Sequence, residues 1–362
     1  MSDVPALCGD ARSRGLGFAR LGAAQSAAVQ ARAAAAMDFV ASVDVRGWLA
    51  TLWQAQQQLL PEVTAFVEGQ AEGHGIAIES LFAAHARYAI EDRAATATDG
   101  GADGCTAIAL TTPEGVTLLA KNRDNPSAVL PLQSLLRQAD PAWRGREILS
   151  VGSFGSAPSV SSGINSDGFC MADTAVRTGD LGIGALRYYV MEALLIRCAS
   201  VGDALALLRD LPHLGGGTLE MADASGAMAA VELGHAGLHV ERRSGPGWVA
   251  RTNHFLAPGL AAALREAPGS VPRVNSEGRL AVVRAALGAG IDGWRAEDCA
   301  ALLARHATDD APALCRHDAA TQTASCTVFE PAARRLRVSR DQPCGGVWTF
   351  ASLLPSSLQE SP

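Results

Sequence analysis

The 362-residue sequence has almost no lysine and no excess of positive charge. Lysine and arginine together number 30 against 37 aspartates and glutamates, which gives a formal net charge of -7, and Lys121 is the one lysine. Phosphate backbones and anionic lipid surfaces repel a protein of this charge. The composition therefore argues against nucleic acid and against a membrane surface as partners.

Long apolar runs are also missing. No segment approaches the roughly 20 apolar residues that a membrane-spanning helix requires. Residues 1–4 lack the basic region of a secretory signal, so we expect neither a span nor a signal peptide. Hydrophobic residues make up 48% and charged residues 19% of the chain. These values are typical of a soluble globular protein that is long enough to bury a core.

The eight cysteines lack any C-x-x-C spacing and form no evident paired framework. Zinc sites and disulfide scaffolds usually show such spacing. We therefore predict free thiols in a reducing cytoplasm and no metal site.

Segments with helical and strand character alternate in blocks along the chain. Helices are predicted at residues 23–92, 186–199, 200–212, 279–287 and 297–306, and strands at 105–110, 116–122, 147–153, 218–221, 227–233, 238–242, 248–253, 321–330, 334–340 and 347–350. No repeat or interdomain linker interrupts them. This order suits an α+β fold in which two sheets lie between helical layers. The glycine- and serine-rich residues 152–163 lack the spacing of a phosphate loop and are interpreted as a substrate-side loop.

The joint Asp103-Gly104-Cys105-Thr106 separates a loose loop at residues 94–102 from the first strand of a predicted hairpin. Free cysteines are usually small core residues, and this explanation stays open for Cys105. The hairpin, however, returns Lys121, Asn122 and Asp124 to the side of Cys105. Polar groups beside a buried thiol require partners or a function.

The joint, together with Ala120-Lys121-Asn122-Arg123-Asp124, resembles the self-cleaving family typified by acyl-coenzyme A:6-aminopenicillanic acid acyltransferase. That family is related to choloylglycine hydrolase, within the N-terminal nucleophile hydrolases. The resemblance spans about residues 75–350; residues 1–70 carry no recognisable signature. It implies a four-layer αββα sandwich of two antiparallel sheets between helical layers, and self-cleavage between Gly104 and Cys105. A helical segment, 1–104, and a catalytic segment, 105–362, would then stay associated as a heterodimer within one domain, and a higher oligomer is open.

A cysteine with a free α-amino group carries its own base. The amine titrates near ~8 and the thiol near ~8.5, so the two can exchange a proton close to neutrality. Peptide-bonded Cys105 lacks that amine, which links activity to cleavage. Gly104 suits the joint because glycine accepts unusual backbone angles and leaves the scissile carbonyl accessible.

The resemblance also implies roles for other residues. Asp124, at the spacing found in choloylglycine hydrolases, would hold the α-ammonium or orient the hairpin end; the alternative is a solvated turn carboxylate. Asn253, followed by His254, matches the family's Asn-His pair and would donate to the oxyanion. His254 is the rival as a base in a Cys/His pair. Lys121 stands where choloylglycine hydrolases carry arginine and would tune the thiol or assist cleavage, unless it is only a strand-end lysine.

Three further residues are assigned supporting or structural roles. Arg316 resembles the arginine of the family's Ile-Cys-Arg element and would bind substrate or support Asp124. Asn122 belongs to the hairpin motif and is assigned a supporting or substrate-binding role. Arg279 matches a helix start in relatives and is interpreted as structural.

The sequence therefore predicts a self-processing amidohydrolase that cleaves a small N-acyl substrate through a Cys105 acyl-thioester. It needs no cofactor, although acyl-coenzyme A is possible as a co-substrate. One alternative is an N-acyltransferase, because the same acyl-enzyme can react with an amine. An uncleaved Cys/His thiol hydrolase and a binding protein with a merely packed Cys105 are the remaining alternatives.

Overall fold

The computed structural model describes residues 4–95, 104–319 and 321–354. The α-helices of this part are α1 (Ala11–Leu21), α2 (Ser26–Ser42), α3 (Arg46–Leu59), α4 (Pro61–His74), α5 (Ile78–His85), α6 (Arg87–Arg93), α7 (Arg187–Arg197), α8 (Val201–Asp210), α9 (Pro258–Ala261), α10 (Val271–Gly288) and α11 (Ala296–Leu303). Residues 96–103, which include Asp103 and most of the predicted loop before Cys105, lie outside the described residues.

The strands of the described part are β1 (Ala6–Cys8), β2 (Cys105–Thr111), β3 (Thr117–Pro126), β4 (Gln133–Ala139), β5 (Glu147–Ser153), β6 (Ser162–Asn165), β7 (Cys170–Thr174), β8 (Thr218–Ala222), β9 (Ala227–Leu233), β10 (Leu238–Ser244), β11 (Gly247–Arg251), β12 (Thr321–Glu330), β13 (Arg335–Ser339) and β14 (Trp348–Ser352). One sheet has the order β1-β4-β5-β6-β7-β8-β9-β10, and the other the order β11-β2-β3-β12-β13-β14.

The two sheets pack face to face and each carries helices on its outer side. Apolar side chains of both sheets, such as Ala109 and Ala230, form the core between them. The other face of the first sheet packs against α2 to α5, α7 and α8. The other face of the second sheet packs against α10 and α11. This arrangement confirms the predicted α+β fold with four αββα layers.

The N-terminal segment departs from the prediction in one respect. It is not wholly helical, because β1 pairs in parallel with β4 at the edge of the first sheet. The expectation of purely antiparallel sheets is therefore wrong at this edge. Both strands were missed: β1 has only three residues, and β4 alternates polar and apolar side chains weakly.

The helices of this segment nevertheless follow local rules. The alanine-rich sequence of α2 favours a helix. Pro61 occupies the first turn of α4, and Gly75 ends that helix with a φ of 66°, a conformation that glycine adopts without strain. None of the helices in the described residues is long and apolar enough to cross a membrane.

The hairpin of β2 and β3 places the residues of the predicted site. Its antiparallel register pairs Cys105 with Arg123 and Ala107 with Lys121, as the predicted hairpin requires. Alternate residues of a strand point to opposite faces. Lys121 therefore reaches the first sheet, where it donates to the carbonyl of Ser161, whereas Asn122 reaches α11, where it donates to the carbonyl of Leu303.

Candidate active site

Cys105 is the first residue of β2 and is buried. Its backbone nitrogen donates a hydrogen bond of 2.8 Å to Oδ1 of Asn253. Its carbonyl oxygen accepts a hydrogen bond of 2.5 Å from Nη1 of Arg279. Polar atoms of two other elements therefore hold the backbone on both sides of the Cys105 Cα, which restricts where the thiol can lie.

Asn253 follows the end of β11 and is itself held by several bonds. Its Oδ1 accepts a second hydrogen bond, from Nη2 of Arg279 at 2.8 Å. Its Nδ2 donates to the carbonyl of Ala175 at 2.8 Å, and its backbone nitrogen donates to Oγ of Ser276. One of the two Nδ2 hydrogens is thus used within the fold. Donation to an oxyanion by the other stays a prediction.

Arg279 lies in the middle of α10 and is fully buried. Besides Cys105 and Asn253, it donates to Oγ1 of Thr106 at 3.0 Å and to Oδ1 of Asn275 at 2.9 Å. The predicted helix start at this residue is wrong: α10 begins eight positions earlier in the chain, at Val271, with a proline in its first turn. The contacts with Cys105, Thr106 and Asn253 make Arg279 part of the site. In the sequence, the spacing of Asn275 and Arg279, four positions apart on one helix face, could have indicated that this arginine is held in place.

Asp124 lies beside Gly104, at the peptide bond where cleavage is predicted. Its Oδ1 accepts a hydrogen bond of 2.7 Å from Thr323, and its buried Oδ2 has no hydrogen-bond partner among the described residues. Burial raises the pKa of Asp124 to about 6, although the nearby charges of Arg279, Arg316 and Lys121 and the hydrogen bond from Thr323 act in the opposite direction. Within the described residues, the site therefore holds a carboxyl group with one unpaired oxygen.

Gly104 fits against this carboxyl group because it has no side chain. A Cβ at Gly104 would lie 2.7 Å from Oδ2 of Asp124 and 3.0 Å from Nη1 of Arg316. Carbon atoms in folded proteins do not approach polar atoms so closely without displacement. A larger residue before Cys105 would therefore require the side chain of Asp124 or Arg316 to move.

A family model described as acyl-coenzyme A:6-aminopenicillanic acid acyl-transferase matches residues 110–344, well over half of the chain. The chain belongs to this family. This is the family that the cleavage joint and the hairpin motif resemble in the sequence. The match includes Lys121, Asp124, Asn253, Arg279 and Arg316, whereas Gly104 and Cys105 precede it.

Solved structures also resemble this member of the family. A mutant of the conjugated bile acid hydrolase from Clostridium perfringens is 13% identical, with a TM-score of 0.44 over 71% of this chain and 95% of that chain. Penicillin V acylase from Agrobacterium tumefaciens is 10% identical, with a TM-score of 0.36 over 65% of this chain and 82% of that chain. No curated protein matches the sequence significantly.

Lys121 is buried in an ion-pair cluster. Its Nζ lies 2.5 Å from Oδ1 of Asp173 and donates to the carbonyl of Ser161 at 3.2 Å. Oδ2 of the same carboxylate accepts from Nε of Arg187 at 3.0 Å. Lys121 is thus not a snorkelling strand-end lysine. Its effect on the thiol or on cleavage stays a prediction, and sequence reasoning missed Asp173 and Arg187.

Arg316 and Asn122 support neighbouring chain segments. The backbone nitrogen of Arg316 donates to Oγ1 of Thr323, the residue that donates to Asp124. Two nitrogens of the Arg316 guanidinium contact Asp318. Nδ2 of Asn122 donates to two carbonyls, of Leu303 at 2.7 Å and of Leu314 at 2.8 Å.

His254 is joined to α10. Its Nδ1 lies 2.8 Å from Oγ of Ser276 and 3.2 Å from Oγ1 of Thr252. Burial, followed by the charge of Arg273, lowers the pKa of His254 to about 4. This histidine therefore remains neutral at pH 7 and fixes the turn that carries Asn253.

A cavity of about 400 Å³ opens at the thiol. Cys105, Lys121 and Asp124 line it together with Ser156 and Val160, which belong to the predicted substrate-side loop. The volume lies within the range of small-molecule sites. Thus one concave site contains the predicted nucleophile Cys105, the ion-paired Lys121 and the carboxyl group of Asp124.

Proposed function

We propose that the protein is a self-processing amidohydrolase whose nucleophile is Cys105. The observation that carries the proposal is the hydrogen bond from the Cys105 nitrogen to Oδ1 of Asn253. An amide oxygen can accept a hydrogen bond from a peptide N–H and also from an α-amino or α-ammonium group. The site therefore already holds the atom that cleavage would convert into the catalytic amine.

In the maturation step, the thiol of Cys105 attacks the carbonyl carbon of Gly104. The sulfur–carbon bond forms as the carbon–nitrogen bond breaks, and the nitrogen takes up the thiol proton, directly or through water. Water then hydrolyses the thioester, which leaves a carboxylate at Gly104 and a free amine and thiol at Cys105. Asp124, which lies beside Gly104, would stabilise the α-ammonium by a charge-assisted hydrogen bond.

In turnover, the α-amine accepts the thiol proton and the thiolate attacks the amide carbonyl of the substrate. The tetrahedral intermediate collapses when the ammonium returns its proton to the departing amine. Water, activated by the same amine, then releases the acyl group as a carboxylic acid and restores the thiol. The small cavity supports an N-acyl substrate of low molecular weight.

Acyl transfer is the second candidate, because the family carries the name of an acyl-transferase. An amine acceptor would replace water in the last step, and acyl-coenzyme A could serve as the acyl donor. Competition between water and added amines for one acyl donor separates the two reactions. An acid product that persists at saturating amine supports hydrolysis, whereas exclusive formation of a new amide supports transfer.

Intact mass tests self-processing directly. Cleavage before Cys105 gives fragments of 104 and 258 residues (362 - 104 = 258) that copurify as a heterodimer. We expect Cys105→Ala to remain one full-length chain and Cys105→Ser to cleave more slowly, because a hydroxyl is a poorer nucleophile than a thiolate. A Cys105→Ala protein that still separates into both fragments would refute self-cleavage.

The two uncleaved alternatives predict other results. A Cys/His thiol hydrolase would give one active chain that loses activity on His254→Ala. A binding protein would give one chain without amidase activity. The proposed cytoplasmic location is supported by the eight cysteines, none of which forms a disulfide.

A further inference from the structure

Four sulfur- and nitrogen-bearing side chains converge next to the candidate active site. We call His306, Cys315, His317 and Cys344 the thiol–imidazole cluster; their ligand atoms all lie within 4.8 Å of one another. Sγ of Cys315 lies 3.7 Å from Sγ of Cys344 and 3.4 Å from Nε2 of His317. Sγ of Cys344 lies 3.3 Å from the same nitrogen.

The cluster joins three stretches of the chain. His306 follows α11, Cys315 and His317 precede β12, and Cys344 lies in a short 3-10 turn between β13 and β14. Backbone hydrogen bonds from Leu314 and Cys315 to the carbonyl of Arg305 close the loop between the first two stretches. The four side chains therefore meet because the surrounding backbone is fixed, although their spacing along the chain gives no C-x-x-C signal.

We propose that the thiol–imidazole cluster binds one zinc ion. Tetrahedral zinc with bonds of about 2.3 Å to sulfur and about 2.0 Å to nitrogen sets its ligand atoms roughly 3.3–3.8 Å apart. The three distances among Cys315, His317 and Cys344 fall in this range, and the ligand atom of His306 lies within 4.8 Å of the other three. Two thiolates and two imidazoles favour zinc over magnesium or calcium, which prefer oxygen ligands.

All four coordination positions come from the protein, which is typical of a structural rather than a catalytic zinc site. The ion would fasten the segment 315–317 to the turn that carries Cys344. Arg316 lies between two ligands, and its Nη1 would be 3.0 Å from a Cβ at Gly104. The zinc ion would thus hold Arg316 beside Asp124 and the scissile bond. This last consequence rests on the proposed function, whereas the metal site itself does not.

Metal binding can be tested on the full-length chain. The reduced protein is stripped with a chelator, titrated with Co²⁺ and then with Zn²⁺, and its metal content is measured after dialysis. We expect about one equivalent of Co²⁺, with thiolate-to-cobalt absorption and the visible bands of tetrahedral cobalt, and displacement by Zn²⁺. Absence of these bands in a reduced protein with native circular dichroism would overturn the proposal.

Substitutions locate the ion. Cys344→Ser and His306→Gln should lose the thiolate absorption or its tetrahedral bands and fail to retain zinc against the chelator. The matched controls Cys8→Ser and His239→Gln change exposed residues outside the cluster and should bind like the wild type. Equal binding by Cys344→Ser and the wild type would refute the site, because that variant removes a thiolate ligand.

A disulfide between Cys315 and Cys344 is the main chemical rival. It requires the sulfur atoms to approach to about 2.05 Å from their separation of 3.7 Å. Two thiols that react with a thiol reagent only after reduction, and then take up no metal, would establish the disulfide and overturn the zinc site. Protection of two thiols by zinc, reversed by the chelator alone, would support zinc.

Discussion

Oδ1 of Asn253 lies 2.8 Å from the backbone nitrogen of Cys105, a residue 148 positions earlier in the chain. The same oxygen accepts from Arg279, whose guanidinium also contacts the Cys105 carbonyl. One arginine therefore fixes both the asparagine and the peptide that the asparagine binds. The arrangement favours a function for the Cys105 nitrogen itself, which a merely packed cysteine does not require.

Substitution of Asn253 separates its two possible roles. We expect Asn253→Ala to reduce turnover by roughly 10²-fold or more without loss of the fold. Asn253→Asp keeps an acceptor for the α-amine but removes the amide donor. Equal losses in both variants would indicate donation to the oxyanion, whereas substantial activity in Asn253→Asp would indicate that the acceptor matters. Steady-state kinetics and circular dichroism provide the measurements, and an Asn253→Ala enzyme within about twofold of wild type would remove this residue from catalysis.

The part of the site encoded locally could be predicted from the sequence. Cys105 and the end of β3 meet because one hairpin carries both, and a hairpin follows from its two strands and its turn. The four-layer fold likewise follows from the order of helical and strand segments. Asn253 was found through its resemblance to a family motif.

The remainder depends on docking between distant elements. Thr323 reaches Asp124 from β12, Arg279 reaches Cys105 from α10, and Asp173 reaches Lys121 from β7. No local sequence pattern predicts these contacts, because each depends on how the sheets and helices pack. Cysteine spacing also failed to identify the thiol–imidazole cluster for this reason: its ligands come from three separate stretches of the chain.

Addition of a methyl group at Gly104 should slow maturation. The Cβ of Gly104→Ala would meet Oδ2 of Asp124 at 2.7 Å, so the carboxyl group or the scissile peptide must move. We expect cleavage to be roughly 10-fold slower or more, since overpacking of this kind costs about 1–3 kcal/mol. The rate is measured from the loss of full-length chain after synthesis. Gly47→Ala is the matched control, because nothing lies within 4 Å of its added methyl group; equal rates in both variants would contradict the steric requirement.

Lys121 can be tested with its ion-pair partner. Lys121→Met leaves Asp173 with Arg187 as its one ion-pair partner among the described residues. We expect the free energy of unfolding to fall by about 3 kcal/mol, the lower end for a broken buried pair. Lys121→Met/Asp173→Asn should recover part of this loss, because no surplus carboxylate then remains. Urea denaturation measures both variants, and an undiminished stability in Lys121→Met would contradict the ion pair.

The same variants separate structure from chemistry at Lys121. Recovery of stability without recovery of cleavage or turnover would indicate a role in the reaction. Lys121→Arg keeps the positive charge but cannot take part in proton transfer. If charge alone matters, Lys121→Arg should retain thiol reactivity at mildly acidic pH and Lys121→Met should lose it. Normal maturation and turnover in every variant would leave Lys121 with a structural role only.

Asp124 should make the uncleaved chain less stable as the pH rises. Its pKa is raised to about 6 in the fold from an ordinary value of 3.8. A raised carboxyl pKa means that the folded state binds the proton more tightly than the unfolded state does. The stabilisation is therefore present at low pH, is lost as the pH rises from about 4 to about 6, and changes little above that. The full loss is at most about 3 kcal/mol.

Two uncleaved proteins isolate this effect: Cys105→Ala and Cys105→Ala/Asp124→Asn. Other groups titrate equally in both, so the difference in their free energies of unfolding reports Asp124. We expect the free energy of unfolding of the double variant to rise relative to that of the single variant between about pH 4 and about pH 6, the interval in which the carboxyl group ionises. A difference that does not change with pH would contradict the raised pKa.

Cleavage should reverse the effect of Asp124→Asn on the free energy of unfolding. In the mature enzyme, the α-ammonium of Cys105 would supply the partner that Oδ2 of Asp124 lacks in the described part of the uncleaved chain. A positive neighbour favours the carboxylate and lowers its pKa. Asp124→Asn should therefore destabilise the mature heterodimer at pH 7, although it stabilises the uncleaved chain at that pH. Urea denaturation of both forms at matched concentration measures this change of sign, and the same sign in both forms would show that the new N-terminus does not pair with Asp124.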